Sequence, residues 1–197
     1  MSRRSKVRGA AGAVTAGALA LVALQGSSAD AGDEKPSAAH PKVCIGTRPV
    51  KSLPGPGPEP SLYRVMDYVE RTAKAHYPTV FTGLSVDDAE QATDVYRIPS
   101  KAFDADICGH AEKGVTIRLH DTDVAKPELD AVVDHISADM DRWDGTFELR
   151  EVGEDSTGFV IVGVDDPAKA EPVIKKAYGE FGRKHIKVQH VEQASAD

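Results

Sequence analysis

Only two cysteines, Cys44 and Cys108, occur in the 197 residues, and that scarcity removes several chemistries at once. Two thiols are too few soft ligands for a zinc or iron–sulfur centre, and they lack the C-x-x-C spacing of a dithiol redox pair. Long apolar runs are missing too. The uncharged stretch 9–29 has its most apolar part at 18–24, too short and too rich in Ala and Gly for a bilayer span of about 20 residues. There is no G-x-S-x-G, no phosphate-binding loop, no G-x-G-x-x-G and no H-E-x-x-H. No constellation in the chain argues for an enzyme.

What is present begins with an export signal. Arg3, Arg4, Lys6 and Arg8 precede the uncharged stretch, and Ser27-Ser28-Ala29 and Ala29-Asp30-Ala31 have the small-residue spacing of a signal-peptidase site. Residues 1–29 are therefore expected to be a cleaved signal peptide and the remainder a secreted protein. Arg3-Arg4 leaves the twin-arginine and general secretory routes both open, and no cysteine near the cleavage site suggests a lipid anchor. The net charge is −7, and loss of the four basic residues with the first 29 takes it to −11. So acidic a chain is repelled by nucleic acid and by anionic lipid, and neither is expected as a partner. In an oxidising compartment an isolated cysteine pair is most simply a Cys44–Cys108 disulfide. Closing a loop of about 65 residues contributes on the order of 4 kcal/mol in the chain-entropy account.

Residues 30–60 are polar, then rich in proline and glycine (Leu53-Pro54-Gly55-Pro56-Gly57-Pro58-Glu59-Pro60), and predict a flexible arm that Cys44 would pin to the body. From 61 the pattern is periodic. Leu62, Val65, Met66, Val69 and Ala73 make one helical stripe, with Ser61 as N-cap and Pro78 as terminator. Strands follow at 80–86 and 93–98 around the turn Asp87-Asp88-Ala89-Glu90, then a short helix opened by Pro99-Ser100 and a strand at 115–119. Residues 127–143 predict a long helix whose stripe of Leu129, Val132, Val133, Ile136, Met140 and Trp143 is the natural place for two halves to meet. A hairpin at 147–152 and 158–164 follows, then a helix capped by Asp166-Pro167 and running to about 178, in which Pro172 introduces a kink or delays the start. The last strand covers 186–191.

The fold class expected is α+β: two strand-strand-helix-strand repeats, 77–120 and 146–191, joined by a long amphipathic helix and preceded by an N-terminal helix, all within one domain over 61–197.

Among chemistry-bearing residues, His120-Asp121 at a strand end is the best hydrolase pair on offer, although polar residues are ordinary there and no third member is evident. His135 and Asp139, flanked by Asp134 and Asp141, have helical metal-ligand spacing, but they lie off the apolar stripe and read as a solvated face. His110 reads as a half-buried histidine near a helix C-terminus. The segment Gly153-Glu154-Asp155-Ser156-Thr157-Gly158 is close in composition to a serine-protease nucleophile loop, yet it falls in a hairpin turn, where these residues are common. No metal and no cofactor are expected.

Several segments resemble the propeptide domains of secreted bacterial chymotrypsin-like serine proteases, the streptogrisin and α-lytic protease group. They are Thr82-Gly83-Leu84-Ser85-Val86-Asp87-Asp88, Asp94-Val95-Tyr96-Arg97-Ile98, Lys126-Pro127-Glu128-Leu129-Asp130-Ala131-Val132, Phe159-Val160-Ile161-Val162-Gly163-Val164-Asp165-Asp166-Pro167-Ala168 and Ile186-Lys187-Val188. The likeness spans about 77–191, and no protease domain follows in this sequence. It implies a foldase or inhibitor whose sheet pairs with a protease and whose C-terminal tail enters the active-site cleft. Here that role would fall to Val188, His190 and Glu192, in the last strand and the tail that ends at Asp197. The expectation is a secreted, monomeric, non-enzymatic module that binds an extracellular protein such as a serine protease by strand addition. Two other readings are a small hydrolase with His120 and Asp121 in a cleft between the repeats, and an envelope-associated structural protein using its Pro-rich arm.

Overall fold

A computed structural model describes residues 41–54 and 60–193; the expected signal peptide, most of the Pro-rich arm and the final four residues lie outside that range. The elements are β1 (Lys42–Ile45), α1 (Ser61–His76), β2 (Phe81–Asp87), β3 (Ala92–Arg97), α2 (Lys101–His110), β4 (Thr116–Asp121), α3 (Lys126–Ala138), β5 (Leu149–Glu154), β6 (Val160–Val164), α4 (Pro167–Ala177), α5 (Gly179–His185) and β7 (Ile186–His190). The protein is α+β, with one sheet in the order β1-β4-β3-β2 and another in the order β5-β6-β7.

Two units share one pairing scheme. In each, the first two strands are antiparallel and the third runs parallel to the second after a helical crossover. The correspondence extends to irregularities. Both first strands bulge just after their first residue, at Thr82 and at Arg150, where one extra residue is left without a cross-strand partner. Ile98 N–H donates to Val80 O and Asp165 N–H to Glu148 O; Thr122 N–H donates to Arg97 O and Val191 N–H to Val164 O. These bonds place Val95 beside Val162 in the correspondence, and Leu119 beside Val188.

Each unit has its own core. Leu62, Val65 and Val69 of α1 and Phe103 and Ile107 of α2 cover Val95, Ile117 and Leu119. Leu129 and Ile136 of α3 and Ala170 and Ile174 of α4 cover Val160, Val162 and Val164. The Leu129 stripe thus belongs to the second core and is not a boundary between halves. The long helix predicted over 127–143 is also shorter. It ends at Ala138, where Asp139 N–H is shared between His135 O and Ile136 O, and the last turn tightens into a 3₁₀ segment, Met140–Trp143. That rotation leaves Met140 42% exposed while Trp143 packs inward on Phe147, ring centroids 5.6 Å apart.

Other local expectations shift for identifiable reasons. Ser61 is the first helical residue and not the cap; its Oγ accepts from Arg64 Nη2 at 3.0 Å. Asp166 does cap α4, accepting from Lys169 N–H, and Pro172 is carried within that helix. Gly179, at φ 57°, ends α4 and admits α5, an element without a periodic signature in the sequence.

The largest correction concerns the arm. Lys42–Ile45 is a strand antiparallel to β4, and the Cys44–Cys108 disulfide fastens it to α2 with Cα atoms 5.6 Å apart. Gly46 N–H then donates to Val115 O, Arg48 N–H to Ala111 O, and Leu53 is buried. Residues 42–53 are therefore part of the first unit, so the body does not begin at 61.

Candidate functional site: the sheet faces and their open edge

His120 and Asp121 are neighbours in sequence but alternate across β4, and each joins a different network. Asp121 lies on the helix side, where it pairs with Arg97; Arg97 Nε and Nη2 also reach Asp104 of α2 at 2.7 and 3.1 Å. Burial pushes the Asp104 carboxyl upward, but bonds from Arg97 and Lys42 outweigh it and hold the group below its ordinary range. His120 lies on the opposite face. Its Nε2 stands 2.7 Å from Asp94 Oδ1 and its ring stacks on Tyr96, centroids 4.7 Å apart. Arg118 binds Asp94 at 3.3 Å, Asp87 at 3.1 Å and Glu90 at 3.0 Å. A cavity of about 450 Å³ next to Asp121 is lined by Thr122, Asp123, Thr157, Phe159 and His185, without His120. The two side chains therefore point to opposite faces of the sheet and do not meet.

The remaining candidates are held in local contacts. His135 Nε2 lies 3.7 Å from Asp139 on the solvated face of α3, and among the described residues no cluster of three or more His, Cys, Asp or Glu is placed to hold a metal. His110 Nδ1 is 2.8 Å from both the Tyr68 hydroxyl and Asp106 O, with its ring stacked on Tyr68. In the 153–158 turn, Asp155 Oδ1 accepts from Thr157 N–H, Thr157 Oγ1 and Phe159 N–H, and Ser156 lies in the turn between β5 and β6.

The last strand has more to offer. A residue in a parallel ladder turns its N–H and C=O to the same neighbour, and successive residues alternate. Since Val191 N–H donates to β6, Lys187 and Gln189 face β6 as well, and Val188 and His190 turn their backbone groups to the open side. In the first unit the corresponding side of β4 is taken: Lys42 stands opposite Leu119, Cys44 opposite Ile117, and Gly46 N–H meets Val115 O. The second sheet ends at β7, so among the described residues the place that β1 fills in the first unit has no strand. Of the other sheet edges, β1 likewise has no strand beyond it among the described residues, while β2 and β5 lie beside α3. Thr82 Oγ1 of β2 donates to Val124 O at 2.5 Å.

Val188 and His190 thus share the open edge, with Glu192 exposed just beyond the strand end. His190 Nδ1 is 2.9 Å from Asp165 O, which steadies the end of the strand. Sequence reasoning missed Asp94, Arg97, Asp104, Arg64 and Glu112. The first could have been found from its two-residue alternation with Tyr96, because both project from the face opposite the core. The others are charges buried by tertiary packing and leave no local signature. No helix among the described residues is long and apolar enough to cross a membrane. In comparisons with known proteins, no family model matches the chain, and no curated protein or solved structure is significantly similar to it.

Proposed function

We infer that this chain is a secreted, non-enzymatic binding module that takes an extended segment of another extracellular protein along the outer edge of β7. The observation that carries the reading is the internal comparison: the same fold accepts a fourth antiparallel strand at β4 and offers the equivalent edge at β7 open. An unpaired edge exposes a row of backbone donors and acceptors, which a partner strand satisfies while its alternate side chains supply selectivity. The propeptide resemblance suggests a chymotrypsin-like serine protease as that partner, with Val188, His190 and Glu192 at the contact. The disulfide and the absence of a membrane-crossing helix among the described residues are compatible with an extracellular life.

The test is capture from native culture medium on immobilised protein, with the captured species identified and any protease titrated against the free protein. Near-stoichiometric inhibition, lost in His190→Pro because proline removes an outward N–H and blocks the edge, supports the reading. A partner held equally by wild type and His190→Pro, with the fold intact by circular dichroism, refutes strand addition at β7.

A further inference from the structure

Between the two units lies a groove that strand addition does not use. Ala73 of α1, Pro78, Phe81 and Pro127 form an apolar floor, and the space above them is about 440 Å³. Its rim carries Glu70 and Lys74 from α1 and Lys126 and Asp130 from α3. It adjoins a smaller cavity of about 220 Å³ that shares Glu70, Phe81 and Lys126 and adds Glu154, Asp155 and Ser156. The groove is thus apolar below and bears both signs of charge above.

Two features, one on the rim and one in the adjoining cavity, point to a ligand. Lys74 forms no ion pair among the described residues, although it stands one helical turn from Glu70. In the adjoining cavity Glu154 binds Lys126 through Oε1, and Lys126 also pairs with Asp130, but Glu154 Oε2 is buried and receives no hydrogen bond among the described residues. Buried acceptors without a donor are uncommon and costly, and a carboxylate oxygen calls for a cationic donor. The paired charges suit a molecule that carries an ammonium and a carboxylate a few bonds apart on an apolar body.

We propose that this groove binds a free apolar α-amino acid. Its side chain lies on Phe81, Pro78 and Pro127, its carboxylate meets Lys74 and Lys126, and its ammonium enters between Glu70 and Glu154, where a rotation of the Glu154 carboxylate brings Oε2 to it. The volume admits a leucine- or phenylalanine-sized ligand. This inference is independent of the binding role assigned to β7, since the groove and that strand share no residue.

The experiment is a titration of the purified protein with L-phenylalanine and L-leucine, followed by calorimetry and by amide chemical shifts. L-phenylalaninamide lacks the carboxylate and N-acetyl-L-phenylalanine lacks the ammonium; both serve as probes. Binding of the amino acids is expected, with shifts confined to residues lining the groove. Each blocked analogue, and each of the variants Lys74→Ala and Glu154→Gln, is expected to bind about tenfold more weakly, the scale of one charge-assisted hydrogen bond. Lys74→Ala sits on an exposed helix position and keeps the fold available for the comparison. No binding at ten millimolar overturns the proposal. Equal affinity for phenylalaninamide overturns the carboxylate half and identifies a peptide amino terminus as the ligand. Equal affinity for all four probes overturns the zwitterion and leaves a merely apolar groove.

Discussion

Replacing Glu112 by glutamine perturbs the most deeply buried ion pair of the first unit. The Glu112 side chain has no exposure and that of Arg64 only 4%, with Oε2 at 2.5 Å from Nη2 and Oε1 at 3.3 Å from Nε. Oε1 also accepts the Leu53 N–H at 3.0 Å, so this one carboxylate holds both α1 and the segment that follows β1. Burial by itself would raise the Glu112 pKa, but bonds from Arg64, the Leu53 N–H, Ser61 and the Lys51 N–H outweigh it and bring the value to about 2, from 4.5. A depression of that size corresponds to roughly 3 kcal/mol of stability at neutral pH. Removing one partner of a buried pair costs about 3–5 kcal/mol, because the other charge is left uncompensated. The two routes agree, and Glu112→Gln is expected to lose about 3 kcal/mol at pH 7.

The pH dependence supplies the sharper test. With its folded pKa below the unfolded one, Glu112 contributes fully above about pH 4.5, and that contribution is lost as pH falls toward 2. The difference between wild type and Glu112→Gln should therefore shrink by more than half between pH 7 and pH 3. Urea unfolding followed by far-ultraviolet circular dichroism at both pH values measures it. A difference below about 1 kcal/mol at pH 7, or one unchanged at pH 3, would refute the electrostatic account.

Further outcomes follow from the same structure. Cys44→Ser with Cys108→Ser should lower stability by up to about 4 kcal/mol and speed amide exchange in β1 more than in β2 or β3, read by hydrogen-exchange NMR. Gly46→Ala should be severe, since its new Cβ would lie 1.9 Å from the Glu112 carbonyl oxygen, which is backbone. Gly163→Ala should cost less despite contacts of 2.4 and 2.5 Å, because the atoms it meets are side-chain atoms of Glu151 and Val191 that can turn aside; thermal midpoints of the two variants decide the order. His120→Ala should leave stability within about 1 kcal/mol of wild type, since Arg118 still compensates Asp94; a much larger loss would show that the half-buried pair matters more than its exposure implies.

The extent of the fold that local pattern dictates is visible in particular elements. α1 was readable to within a residue at its start, because Leu62, Val65, Val69 and Ala73 recur at helical spacing and are all buried. The two strand-strand-helix-strand units were readable from residue type: β-branched and aromatic residues mark β3 and β6, and turn residues separate them from their partners. The pairing of Cys44 with Cys108 followed from number and compartment alone. That Val188 and His190 turn to a common side is a consequence of the two-residue period of β7.

Tertiary structure decided what depends on contacts distant in sequence. Lys42–Ile45 has only four residues and little pattern of its own; it is a strand because β4 offers an edge and Cys108 a bond. The separation of His120 from Asp121 required knowing that Asp94 waits on one face of the sheet and Arg97 with Asp104 on the other. That β7 is an open edge emerged only from the strand order, since a sequence specifies which residues alternate but not which edge lacks a neighbour. Local periodicity is written in the chain because side-chain direction follows backbone geometry, whereas burial of a charge or exposure of an edge is a property of what arrives from elsewhere.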